Sequence, residues 1–68
     1  MEEILKSLGN NIKKLREERG LSQLDLAARC NFEKSNMSRI EAGRSNFTIA
    51  TLYKIAIAMN IEIKDLFI

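Results

Sequence analysis

At 68 residues the chain holds a single domain, residues 1–68, and its 46% hydrophobic and 29% charged content is that of a folded protein rather than a disordered one. It has no histidine and one cysteine, which excludes an intramolecular disulfide, a cysteine-rich metal site and a Cys–His nucleophile pair. The net charge of +2 decides nothing, but residues 1–5 carry two acids and no base, whereas residues 34–54 carry Lys34, Arg39, Arg44 and Lys54 against Glu41 alone.

Leu5, Leu8, Ile12 and Leu15 recur at helical spacing and predict an amphipathic first helix. Arg16 and Arg19 suit its C-terminus, and Gly20 ends it. Ser22 begins a second, short helix with Asp25 three residues on, the pattern of a capping box, and Leu26, Ala27 and Cys30 form its buried side. Asn31 then turns the chain, since asparagine tolerates the left-handed conformation. A third helix is expected over about Lys34 to Ala42, closed by Gly43, and a fourth from a Thr48 cap to about Met59, with Leu52, Ile55, Ala56 and Met59 as its stripe. After Asn60, residues Ile63 to Phe67 predict a last helical turn or two. Nowhere does apolar and polar alternate as a strand would. The expectation is an all-α, five-helix domain.

The third helix is unusual for its dryness on one side only. Stepping 100° per residue puts Met37, Ile40 and Glu41 toward the core and Ser35, Ser38, Arg39 and Ala42 on the opposite face, flanked by Lys34 and Asn36. A flat face of small residues lets a partner approach the backbone closely. From it Arg39 could donate two parallel hydrogen bonds to guanine O6 and N7 in a major groove. Lys34 stands at the helix start, where recognition helices offer side chains to bases. Taken alone, such a helix is more readily a solvated one whose serines mean nothing.

Its surroundings decide the matter. The run RGLSQLDLAARCNFEKSNMSRIEAGRSNFTIATLYKIAIAMNI resembles the DNA-binding domain of the phage-repressor and Cro-like helix-turn-helix family, a lambda-repressor-like fold. The likeness spans about residues 8 to 67 and rests on L-S-Q-x-x-L-A, I-E-x-G and T-L-x-K-I-A in combination. It implies a transcriptional regulator that binds double-stranded DNA, with helix three in the major groove. Base contacts are then implied for Lys34, Ser35 and Arg39, assisted by Asn36 or Ser38. Gln23 would touch phosphate and brace the recognition helix, with Ser22 and the amides of that helix start beside it. Arg44, Ser45 and Asn46 would form a second phosphate clamp.

The resemblance also implies that Arg16 and Glu41 form a largely buried ion pair. The reading of the residues agrees, since a carboxylate on the core side of helix three is costly unless paired. Four positions depart from the family. Asn31 replaces the usual turn glycine, Glu33 replaces a capping Ser or Thr, Leu24 stands where a polar residue is usual, and Ile57 where a polar or charged one is. Asp25 alone is a poor match for the acidic cluster with which some members activate polymerase.

The apolar residues left over point to a second copy. Tyr53 and Ile57 form a row about 100° from the core stripe of helix four, and Ile61, Ile63, Leu66, Phe67 and Ile68 follow. A chain this small buries only about 60% of its unfolded surface, and an isologous two-fold interface would add burial. The expected homodimer uses Tyr53, Ile57, Ile61, Ile63 and Phe67, and sets two recognition helices one DNA turn apart over a palindromic operator. The alternative for the tail is that it folds back under helix one, near Ile4 and Leu5.

Two other classes compete with this reading. A protein-interaction module, such as an antitoxin-like partner, would use Leu24 and the C-terminal apolar residues. An enzyme is not expected: Glu17–Glu18 is an exposed acidic pair better suited to solvation than to acid–base chemistry. No cofactor, metal or small-molecule ligand is implied. The acidic N-terminus lacks an apolar run and no stretch approaches the ~18 apolar residues of a membrane span, so neither a secretory signal nor a membrane partner is expected, and the lone Cys30 suits a reducing cytoplasm. Within the resemblance, controller proteins of restriction–modification systems and small phage or mobile-element repressors remain open.

Overall fold

The computed structural model describes residues 2–67, with Glu2 described by its backbone alone. Four α-helices follow one another, α1 (Glu2–Glu18), α2 (Gln23–Cys30), α3 (Lys34–Glu41) and α4 (Ile49–Ala58), and a 3-10 helix (Ile63–Phe67) closes the chain. The fifth element is therefore not an α-helix, which corrects the expectation of five. Ile63–Phe67 is only five residues long, and Asp65 turns back to accept a 3.0 Å hydrogen bond from the Glu62 N–H, which favours the tighter turn.

Local chemistry accounts for most boundaries. The Ser22 hydroxyl accepts from the Asp25 N–H at 3.0 Å, and the Asp25 carboxylate accepts from the Ser22 N–H at 2.9 Å, a reciprocal capping box. These bonds to Ser22 hold the Asp25 carboxyl below the usual carboxylate range. Asn31 and Asn60 both adopt the left-handed conformation, with φ of 60° and 58°, and turn the chain out of α2 and α4. Thr48 caps α4 by accepting from the Thr51 N–H at 3.1 Å. Glu33 precedes α3 without any side-chain cap, and α3 is the poorer for it.

Leu8, Ile12, Leu26, Ala27, Cys30, Met37, Ile40, Leu52, Ile55, Ala56, Met59 and Leu66 are buried together, so every element contributes to one core. Burial pushes the Cys30 thiol pKa up, as befits an inert packed cysteine. Helices α2 and α3 form the helix-turn-helix, with α1 lying across α3 and α4 closing on α2. Leu66 is fully buried and its carbonyl accepts from Asn11 Nδ2 at 2.8 Å, so this part of the tail does fold under α1. Ile61 and Ile63 are half-buried against the core, while Phe67 stays exposed; Ile68 lies outside the described residues. Arg19 bonds the Met59 carbonyl at 3.1 Å and Arg29 the Ala58 carbonyl at 3.3 Å, so two arginines satisfy the end of α4.

Gly9 has a role that the helical pattern did not disclose. A methyl group there would stand 2.5 Å from the Glu41 carbonyl oxygen and 2.6 Å from that of Ile40, both backbone atoms at the end of α3. The glycine therefore sets how closely α1 can approach the recognition helix. An alanine in mid-helix would ordinarily gain about 1 kcal/mol of propensity. Here Gly9→Ala is expected to destabilise instead, by about 1–3 kcal/mol, because neither carbonyl can move without shifting α3. Chemical denaturation of the variant measures this, and a gain in stability would show that the close approach does not matter.

Candidate nucleic-acid interface

The geometry of the site begins behind it. Glu41 sits on the buried side of α3 and Arg16 near the end of α1, at 6% and 7% exposure. They form a two-bond pair, Arg16 Nε to Glu41 Oε2 at 2.7 Å and Nη2 to Oε1 at 3.0 Å. Arg16 Nη1 also donates to the Leu21 carbonyl at 2.7 Å. Gln23 Nε2 donates to Glu41 Oε1 at 3.0 Å, which ties the start of α2 to the end of α3 through the same carboxylate. The hydrogen bond to Glu41 raises the Arg16 pKa above the ordinary arginine value. One carboxylate thus couples α1, α2 and α3, which fixes the angle at which α3 is presented.

The outer face of α3 is made as its spacing suggested. Lys34, Ser35, Ser38 and Arg39 are exposed, Asn36 is half-buried, and Met37, Ile40 and Glu41 are inside. Beyond α3, Gly43 takes a left-handed φ of 74°, its N–H bonding the Ile40 carbonyl at 3.1 Å, and the Arg44 N–H bonds the Arg39 carbonyl at 2.9 Å. Arg44 and Asn46 are exposed and Ser45 is half-buried, with its hydroxyl 3.4 Å from the Asn46 carbonyl. At the start of α2 the Ser22 hydroxyl is engaged as an acceptor in the capping box, and the Gln23 amide is half-buried over Glu41. Among the described residues Lys34, Arg39 and Arg44 enter no salt bridge, so their charge is available to a polyanion.

Away from this face, Tyr53 and Ile57 are each 56% exposed and stand one helical turn apart on α4. Leu24 is 59% exposed on α2. Among the described residues no group of three His, Cys, Asp or Glu is placed to hold a metal ion. No helix among them is long and apolar enough to cross a membrane.

A buried anchor behind α3 and a free polar, cationic face in front of it define a helix-turn-helix DNA-binding fold. A helix-turn-helix family model matches residues 12–66, and the chain belongs to that family. It is 40% identical over 57 residues to an uncharacterized HTH-type transcriptional regulator, y4dJ, of Sinorhizobium fredii, covering 84% of this chain and 74% of the relative. Among solved structures it superposes on the restriction–modification controller protein C.AhdI of Aeromonas hydrophila with a TM-score of 0.90 and 33% identity, covering 93% of this chain and 96% of that one. It also superposes on the master regulator for biofilm formation SinR, solved in complex with DNA, with a TM-score of 0.81 and 32% identity over 87% of this chain and 95% of that one. The chain is a transcriptional regulator with a helix-turn-helix DNA-binding fold.

Proposed function

We propose that the protein is a homodimeric, sequence-specific regulator that reads a palindromic operator with α3 in the major groove. The observation that carries this reading is the free Arg39 on a small-residue face whose opposite side is locked by Arg16, Glu41 and Gln23. Arg39 and Lys34 read base edges, with Ser35, Asn36 and Ser38 setting the close approach. Ser22 and Gln23 at the start of α2, and Arg44, Ser45 and Asn46 after α3, grip the flanking phosphates. The likeness to a protein solved in complex with DNA supports double-stranded DNA as the partner, and the lone buried Cys30 suits action in a reducing cytoplasm.

The second copy docks through α4. Tyr53 and Ile57 form the exposed apolar row on α4. The exposed Phe67, which lines a groove beside Ile4 of α1, and the half-buried Ile61 and Ile63 are the C-terminal residues proposed to join it. The exposed Leu24 favours a second reading, in which another protein is the main ligand. Copurification of a stoichiometric partner, with no salt-dependent shift of promoter DNA, would select that reading instead.

Two arginines separate base reading from phosphate grip. Arg39→Ala is expected to cost about 1–3 kcal/mol on the specific site and to relax preference at one base pair in each half-site. Arg44→Ala is expected to weaken binding to all duplexes alike and to flatten its salt dependence. Binding-site selection with each variant measures both, and an unchanged consensus without Arg39 would remove its assigned role.

A further inference from the structure

The acidic N-terminal turn of α1 is followed by one base, Lys6, which the fold brings to the end of the recognition helix. A methyl group on Gly43 would stand 2.8 Å from Lys6 Cα and 2.8 Å from its Cγ. Lys6 therefore packs directly on the backbone at Gly43, which reaches this approach with a left-handed φ and no side chain. Lys6 and Arg44 consequently line one open cleft together with Leu5, Ala42, Gly43 and Asn46.

Three features suit that cleft to a phosphate chain. Among the described residues its lining has two cations and no carboxylate, and Glu3 instead lines a separate groove beside Leu66 and Phe67. Both cations are exposed, and among the described residues neither takes part in a salt bridge. The lysine stem packs at Gly43, and the residue is exposed, so its ammonium can reach outward.

Resting on the DNA-binding reading above, we propose that Lys6 and Arg44 form a two-cation clamp on one stretch of the DNA backbone, so that α1 contacts the duplex as well as the helix-turn-helix. The contact would lengthen the footprint outward from each recognition helix without adding any base preference.

The test is the salt dependence of binding to a short random-sequence DNA duplex, for the wild type, Lys6→Ala, Lys6→Arg and Lys64→Ala. Lys64 is the comparison because it lies in the tail, 3.6 Å from Glu62, away from the cleft. Each lost phosphate contact lowers the slope of log K against log salt by about 0.9, so a dimer of Lys6→Ala is expected to lose about 2. Lys6→Arg should keep the wild-type slope, Lys64→Ala should leave it nearly unchanged, and thermal stability should not move. A wild-type slope in Lys6→Ala would overturn the clamp and leave the proposed function standing. An equal loss in Lys64→Ala would reduce the effect to net charge and overturn it as well. A wild type that fails to bind duplex DNA would defeat the functional reading, and the clamp with it.

Discussion

Glu41→Ala is expected to destabilise the domain by about 3–5 kcal/mol, the usual consequence of removing one half of a buried ion pair. The variant leaves Arg16, a residue only 7% exposed in the native fold, with the Leu21 carbonyl as its remaining acceptor. It also strips Gln23 of the oxygen its amide now bonds at 3.0 Å. A chain of 68 residues has about 3–10 kcal/mol to lose in all. At about 4–8 °C per kcal/mol for a domain of this size, the melting temperature should fall by more than about 12 °C. Circular dichroism on heating reads this directly, and an unchanged midpoint would show that the pair contributes nothing. Because Glu41 orients α3 and does not face DNA, the loss of DNA binding should follow the loss of fold. A paired apolar replacement of Arg16 and Glu41 should recover much of the stability, since well-packed apolar residues often do as well as a buried pair.

Ile57→Lys should do the reverse: keep the fold and break the assembly. Ile57 is 56% exposed, so the substitution removes nothing from the domain's own core. In the proposed dimer it sits near the two-fold axis, where two lysines would face each other across an apolar patch. Joining two half-site readers raises affinity by about 10²–10⁴ over one alone. The monomeric variant should therefore bind the operator at least about 100-fold more weakly, with its melting behaviour nearly intact. Sedimentation checks the first half of this expectation: an unchanged dimer in the variant, or a wild type monomeric at high concentration, would sink the proposed interface.

The legible parts of this protein were those with local causes. Ser22 and Asp25 lie three residues apart, Asn31 and Thr48 act on their own turns, and each could be placed from its neighbours in sequence. The face of α3 was readable for the same reason, since a period of 3.6 sorts Met37, Ile40 and Glu41 from Ser35, Ser38 and Arg39. The partner of Glu41 needed more. Helical pattern put a carboxylate on the core side, but only family resemblance pointed to Arg16, 25 residues away.

What stayed hidden was long-range and shape-dependent. Nothing in the helical pattern of α1 singled out Gly9; its role depends on α3 lying against it. Lys6 lies just past the acidic segment 1–5, and nothing in the sequence linked it to Arg44, with which it lines one cleft. The tail residues showed their apolar character but not its use: Leu66 entered the core under α1, Ile61 and Ile63 were half covered, and Phe67 was left outside. Apolar pattern states that a residue gains from burial. It does not state against what.

The account turns on one claim, that two copies of α3 read two inverted half-sites on one face of the duplex. Selection of bound fragments from a random DNA pool by the wild-type protein tests it most directly. The expected result is an enriched inverted repeat whose half-site centres are one helical turn apart, about 34 Å or 10–10.5 base pairs. Enrichment of a single half-site, of direct repeats, or of no sequence at all would contradict it.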